Sequence, residues 1–430
     1  MKKRLLSALC AVMLLICAVP MASAQTGDAA RRADALTVLH LLSEDPGRDL
    51  TAPATRAQAA VLLVRLAGGE KKPDTDGWFA GFRDVPDWAR TAVNYANRRG
   101  WISGVSNVQF DPNGHLNADA WCAMLLRMLG YSDKTGDFET SDAAAFAWRI
   151  GLTGRQLIGI LSVGDLAESI YDALDFCYKG TETTVLSRLM DLGVCTASAA
   201  NALGLLNKDY TARQLADRYL SAAFQLSLYE TEEQVHDEVS SADASGFFIS
   251  ADGLAVTNYH SIEDSIKATA TLLNGETYEV ERVLYYDTGI DIAVIKVSRT
   301  NQSRRTTSTF NHLDLVGTAD IRPGDPVYAI GNPLGLGLAI SSGIIGSTAH
   351  ELDRYALPCI VNSADISRGS SGGALMNAHG QVIGVTSGAY TYGNNMYLAV
   401  PVDPVMAADL TVSGWTLKEV KAIEAAKDKD

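Results

Sequence analysis

Several things are scarce in this 430-residue chain, and each scarcity removes a class of answer. Six cysteines, none in a C-x-x-C pair, exclude a disulfide scaffold and give no zinc or redox dithiol pattern. No block of Lys or Arg follows Arg4, and the net charge is −14, so the clustered cations that phosphate contacts need are missing and no nucleic-acid partner is expected. After residue 19 no apolar run approaches the roughly 20 residues that a bilayer span requires. Neither metal-ligand spacing nor a cofactor motif occurs. What is present is 47 % apolar and 20 % charged residues, enough for two or three domains with separate cores.

Residues 1–24 read as a secretory signal peptide. Lys2, Lys3 and Arg4 precede an apolar stretch from Leu5 to Val19, and Ala22-Ser23-Ala24 offers a small-residue cleavage site. The mature protein is therefore expected to be exported, with no membrane segment after cleavage. Cys10 and Cys17 leave with the signal. Export permits a Cys177–Cys195 bridge; buried free thiols are the alternative, and Cys122 lies inside an apolar helical stretch.

From residue 25 to about 215 the chain is Ala- and Leu-rich with helical periodicity and a weak internal repeat. Thr55-Arg56-Ala57-Gln58 opens one helix ending at Gly68, and Asn117-Ala118-Asp119-Ala120 opens another ending at Gly130. Ser162-Val163-Gly164-Asp165 opens a third. Each begins with an N-cap residue, and Gln58 and Asp165 complete capping boxes. From about Ala222 the texture changes to short apolar runs broken by Gly, Asn and Asp. Phe247–Ile249, Leu254–Thr257, Tyr278–Leu284, Ile290–Val297, Val327–Ile330, Gln381–Val385 and Met396–Val400 read as strands, and Asn274-Gly275 as a hairpin turn. Closely spaced strands without intervening helices predict an antiparallel barrel or sandwich. Residues 413–430 read as a terminal helix or tail.

Three sites in this second half carry chemistry. Gly369-Ser370-Ser371-Gly372-Gly373 places a Ser in a turn flexible enough for successive N–H groups to converge beside its hydroxyl. His260 ends the strand Leu254–Thr257 and offers a base. Asp291 sits in an apolar run, where a carboxylate is costly unless a partner such as His⁺ faces it. Chain order discriminates between nucleophilic folds. An α/β-hydrolase needs an acid and then a His after the Ser, and only His379 follows. Subtilisin order needs an Asp before the His, and Asp252-Gly253 reads as a turn. The order His260, Asp291, Ser371 is that of chymotrypsin.

Two resemblances follow from these residues. Phe82-Arg83-Asp84-Val85-Pro86-Asp87-Trp88-Ala89, Gly100-Trp101-Ile102 and the capped helix to Gly130 resemble the S-layer homology (SLH) module, with further copies at about 29–68 and 138–200. The resemblance implies an all-α half whose grooves bind secondary cell wall polymer of Gram-positive-type walls. Arg56 matches the family's binding Arg, whereas Ala118 and Val163 replace it in the other copies. The alternative is a spacer or docking platform. Phe248-Ile249, Thr257-Asn258-Tyr259-His260, Asp291-Ile292-Ala293-Val294, Ile330-Gly331-Asn332-Pro333-Leu334-Gly335 and Gly369-x-Ser371-Gly372-Gly373 resemble HtrA (Deg)-type serine proteases. That resemblance implies an all-β, two-barrel trypsin-like domain over 220–412, with Ser371 as nucleophile, His260 as general base and Asp291 as its orienter. It also implies an oxyanion hole from the N–H groups of Gly369 and Ser371, with Ser367 and Arg368 on the switching loop. Ile366, Ser387, Gly388 and Ala389 would bind substrate, with small aliphatic residues before the cleaved bond. Ser370, Ser363 and Asp365 depart from the family pattern, and residues 413–430 are too few for a PDZ domain.

The expectation is a secreted, cell-wall-associated serine endopeptidase acting on unfolded or extended polypeptides, tethered by its helical half, without cofactor or metal. The alternative is a non-catalytic surface protein that uses a protease-like fold as a scaffold.

Overall fold

The computed structural model describes residues 28–43, 48–69, 79–181, 183–206, 209–389 and 395–427. The signal sequence proposed for 1–24 lies outside them. Two compact units emerge: described residues up to Ala147 with Gln156–Leu206, and Trp148–Arg155 with the described residues from 209 onward. The short segment Trp148–Arg155 and the helix Ala212–Tyr219 thus group with the carboxy-terminal unit.

The first unit is helical. Its inner helices, Arg56–Leu66, Ala118–Met128 and Val163–Ala173, begin at Thr55, Asn117 and Ser162, whose side chains accept from backbone N–H groups in the first turn. Thr55–Gln58 and Ser162–Asp165 form reciprocal capping boxes. The remaining end groups are satisfied between repeats. Ala54 N–H donates to Leu161 O (2.8 Å), Leu161 N–H to Leu116 O (2.9 Å), and Leu116 N–H to Ala54 O (3.0 Å), closing a ring of three. A second set repeats the pattern two residues on: Arg56 N–H to Gly114 O, Ala118 N–H to Gly159 O, and Val163 N–H to Ala52 O. Orphan donors of each helix end are therefore capped by the neighbouring repeat. Trp121 is fully buried at the centre and donates its indole N–H to Ser169 Oγ at 2.8 Å. The four described cysteines are free thiols, and burial first, then Asp119, pushes the Cys122 thiol up to about 12.

The second unit consists of two closed, six-stranded antiparallel barrels. The first is built from β1 (Ala223–Tyr229), β2 (Ala242–Phe248), β3 (Leu254–Thr257), β4 (Lys267–Leu272), β5 (Thr277–Asp287) and β6 (Ile292–Asn301), ordered 1-2-3-6-5-4. The second is built from β7 (Pro326–Gly331), β8 (Ala339–His350), β9 (Cys359–Asn362), β10 (Ala374–Asn377), β11 (Val382–Ala389) and β12 (Tyr397–Pro401), ordered 10-11-12-9-8-7. Stacked and edge-on rings of Phe224, Phe248, Phe310 and Tyr278 fill the first barrel. Closure removes the unpaired edges that open sheets expose. The seven strands expected from sequence correspond to β2, β3, β5, β6, β7, β11 and β12. Strands β1, β4, β8, β9 and β10 went unread, β8 because its residues are largely polar or solvent-facing. Gly275, at φ +82°, makes the turn between β4 and β5, as the Asn-Gly pair predicts.

Residues beyond 412 are integral to the first barrel. Trp415 exchanges backbone hydrogen bonds with Val283 (2.7 and 2.8 Å), and Leu417 and Val420 of the helix Leu417–Lys427 enter its core. On the same barrel Arg149 pairs with Glu276 at 2.7 Å, and Tyr278 and Asn274 also donate to that carboxylate. Burial alone would raise Glu276, but Arg149 and the two donors outweigh it and hold its carboxyl below the usual range. A depressed folded-state value gives stability that is present above the ordinary glutamate range and lost as pH falls through the lower folded value. Arg149→Ala strands a largely buried carboxylate, and a loss of about 3 kcal/mol is expected. Urea denaturation at pH 7 measures it, and the deficit should shrink toward pH 3 as Glu276 takes up a proton; an equal deficit at both pH values counts against the ion pair.

Candidate active site

Pairing of β3 with β6 sets the first half of the site. Thr257 faces Ala293 and Val256 faces Val294, so the segments that follow β3 and precede β6 emerge at the same barrel end. The structure corrects two local expectations there. His260 lies in a short helical turn, Tyr259–Ile262, rather than on the strand. Asp291 is not within a strand either: its φ of +66° places it in the left-handed region, and β6 starts at Ile292. A non-glycine residue held there costs about 1–3 kcal/mol and persists only where surrounding contacts impose it.

Those contacts converge on the Asp291 carboxylate, whose side chain is 8 % exposed. His260 Nδ1 lies 2.8 Å from Oδ2 and 3.0 Å from Oδ1, and the His260 backbone N–H donates to Oδ1 at 2.9 Å. Ser387 Oγ donates to Oδ2 at 2.7 Å. The Asn258 amide donates to the Asp291 carbonyl at 2.8 Å, fixing the backbone itself. With Nδ1 against an acceptor, that nitrogen carries the ring proton, and Nε2 is left as the basic lone pair.

The second half is the loop between β9 and β10. Gly369 (φ +95°) and Gly372 (φ +85°) occupy backbone that side chains rarely adopt, and both are closely overlaid. A Cβ on Gly372 would stand 2.2 Å from Ser245 O and 2.3 Å from Thr257 Oγ1; on Gly369 it would stand 2.5 Å from Asn332 O. Ser245, fully buried on β2, ties the loop to the first barrel. Its N–H donates to Ser371 O (2.7 Å), and its Oγ donates to Gly369 O (2.7 Å) while accepting from Asn332 N–H (2.8 Å). Thr386 Oγ1 donates to Ser370 O at 2.7 Å. The Arg368 carbonyl is taken by Leu334 N–H at 2.7 Å, which turns the opposite side of that peptide, the Gly369 N–H, away from it. Among the described residues neither the Gly369 nor the Ser371 N–H meets an intramolecular acceptor. Two free donors beside one hydroxyl can hold a developing oxyanion.

Ser371 Oγ donates to the Ser387 carbonyl at 3.3 Å, and no hydrogen bond joins it to the His260 ring. The structure thus brings His260 and Asp291 into contact and seats Ser371 on the Ser387 carbonyl. Ser387, Gly388 and Ala389 run past the end of β10; Gly388 and Ala389 pair with Leu398 and Tyr397 of β12, Ser387 is the bulge residue before them, and among the described residues no strand pairs with their other edge. Ile366 packs partly buried against the second-barrel cluster. Arg56 belongs to the helical unit, where Nε donates to Phe110 O (2.9 Å), one Nη to Ser103 O (2.8 Å), and the guanidinium lies over the Phe110 ring. Sequence reasoning missed Ser245, Asn258, Thr386 and the side chain of Ser387. Their common signal is a small polar residue inside an otherwise apolar strand or strand end.

Residues 244–385 match the trypsin-like peptidase domain family. A probable periplasmic serine endoprotease, DegP-like, of Halomonas elongata is 35 % identical over 177 residues, covering 40 % of this chain and 35 % of that protein. Serine protease HTRA1A of Danio rerio is 31 % identical over 219 residues, covering 50 % of this chain and 44 % of that protein. Mitochondrial serine protease HTRA2 of Bos taurus is 36 % identical over 171 residues, covering 39 % and 35 %. The chain therefore spans less than half the length of these relatives. The match and the two-barrel architecture agree: the carboxy-terminal unit carries a trypsin-like peptidase domain, similar to those of HtrA and DegP-like serine proteases.

Proposed function

We propose that this chain is an exported serine endopeptidase that cleaves extended polypeptides by acyl transfer, with its helical unit serving as a tether to anionic wall polymer. The observation that carries the catalytic part is the His260–Asp291 contact beside a serine flanked by two free N–H donors. A substrate strand adds to the open edge at Ser387–Ala389, which brings its scissile carbonyl to Ser371. The Ser371 hydroxyl leaves the Ser387 carbonyl and turns to His260 Nε2, which removes its proton as Oγ attacks. Asp291 holds the Nδ1 proton and stabilises the imidazolium. The carbonyl oxygen, now negative, lies against the Gly369 and Ser371 N–H groups. Collapse of the tetrahedral intermediate expels the amine, which takes the proton from Nε2 and leaves an acyl-Ser371. Water, deprotonated by the same imidazole, then releases the acid and restores the serine.

Export is supported by the basic, apolar and small-residue sequence of the first 24 positions, and by a relative whose name places it in the periplasm. Tethering is supported by the three-repeat ring and by Arg56, which stands at the position of the resembled family's binding Arg and spends two of its donors on the Phe110 and Ser103 carbonyls.

Fluorophosphonate labelling tests the catalytic reading without knowledge of the substrate, since the probe needs only an activated serine and an oxyanion hole. Wild-type protein should label and Ser371→Ala should not; a folded wild type that never labels favours the scaffold alternative. Against a cleavable peptide, Ser371→Ala should lose on the order of 10⁶ in kcat. Asp291→Asn should lose roughly 10⁴, because the ring then presents the wrong tautomer; an unchanged rate would assign the acid elsewhere. Arg56→Ala should reduce co-sedimentation with isolated walls several-fold, and equal retention of both proteins would make the helical unit a spacer.

A further inference from the structure

The loop between β8 and β9, residues 351–358, reaches from the second barrel to the segment that presents Asp291. Ala356 N–H donates to Gly289 O at 2.7 Å, two residues before Asp291, and a Cβ on Gly289 would stand 3.1 Å from that of Ala356. Next to this contact, Tyr355 is 8 % exposed and packs among Ile292, Val361 and Val385 in the apolar cluster between the barrels. Its hydroxyl lies 2.9 Å from Ser387 Oγ, itself 2.7 Å from Asp291 Oδ2.

The direction of this chain follows from proton counting. An ionised carboxylate only accepts, so the single Ser387 hydroxyl proton is committed to Asp291. Ser387 Oγ can then only accept from Tyr355, which donates. We propose that Tyr355 is a positioning residue: its O–H, donated to Ser387, orients the Ser387 hydroxyl onto Asp291 and so sets how much negative charge the carboxylate presents to His260. Hydrogen bonds in series polarise one another, by perhaps 10–30 % per bond. Burial, the largest influence on Tyr355, keeps its proton in place, so the donor is present throughout the working range. The inference rests on the reading of the site as a Ser-His-Asp peptidase.

A tyrosine that merely fills space would behave differently, because phenylalanine fills the same space. In Tyr355→Phe the Ser387 hydroxyl is no longer held in one orientation, its donation to Asp291 weakens, and the more negative carboxylate keeps the imidazolium to higher pH. The other charged and titratable groups around the His260–Asp291 pair are unchanged in the variant: Glu263 and Asp264 just after the Tyr259–Ile262 turn, Arg354 on the β8–β9 loop, and Cys359 on β9.

The experiment is the pH profile of the fluorophosphonate labelling rate for wild type, Tyr355→Phe, Ser387→Ala and the double variant. Ser387→Ala should move the acid limb up by about one pH unit, the scale of a lost hydrogen bond to a charged group. Tyr355→Phe should move it up by about a third of a unit, with a roughly twofold slower rate at pH 6 and little change at pH 8. Because Tyr355 acts through Ser387, the double variant should match Ser387→Ala. An unmoved limb in Tyr355→Phe, or equal displacement by Tyr355→Phe in both backgrounds, overturns the relay and leaves Tyr355 as packing. A wild type that fails to label at every pH sinks the peptidase reading instead. The same four proteins are then compared through their His260 imidazole resonances, whose midpoints must show the same non-additivity for the relay to stand.

Discussion

The cleft of the second unit depends on one buried negative charge. Asp291 sits in a left-handed backbone conformation with its carboxylate almost wholly out of water, and neither condition is stable alone. It is tolerated because the Asn258 amide holds the carbonyl, the His260 backbone and ring face the carboxylate, and Ser387 supplies a donor from the other barrel. The set of donors explains why the imidazole has one orientation. It also explains why the two barrels meet where they do: a carboxylate satisfied from both sides locks both sides together.

The loop between β9 and β10 meets the complementary problem, with most of its carbonyls taken by donors from neighbouring segments. Ser245 takes the carbonyls of Gly369 and Ser371, Thr386 those of Ser370 and Gly373, and Leu334 that of Arg368. Among the described residues the Gly369 and Ser371 N–H groups are left without an intramolecular acceptor. Glycine at 369 and 372 is required by both the positive φ and the closeness of Asn332 O and Ser245 O. The Ser371 hydroxyl rests on the Ser387 carbonyl.

The helical unit shows a different use of backbone hydrogen bonding. Its inner helices are too short to be stable singly, and their N-termini are capped in a ring, each repeat by the next. Three copies close such a ring, so the sequence divergence among them costs little provided that the cap residues Thr55, Asn117 and Ser162 remain.

Much of this was legible in the chain itself. The caps, the Asn-Gly turn, the change from helical to strand texture near 222, and the order His260, Asp291, Ser371 are all local patterns, and local patterns are written directly in sequence. The strands β8 and β10 were not, since β8 is largely polar or exposed and β10 is only four residues long. Nor were the roles of Ser245, Asn258, Ser387 and Tyr355. Their significance is a matter of what stands opposite them across 16 to 124 residues of chain, as in Ser387 with Tyr355 32 residues away, Asn258 with Asp291 33 away, and Ser245 with Gly369 124 away. A small polar side chain carries no sign of its partner until the barrels close. The sequence by itself therefore determined which residues are candidates for the chemistry, His260, Asp291 and Ser371. Only the tertiary structure decided how a buried carboxylate finds its hydrogen-bond partners, because that requires donors that converge from several strands and loops at once.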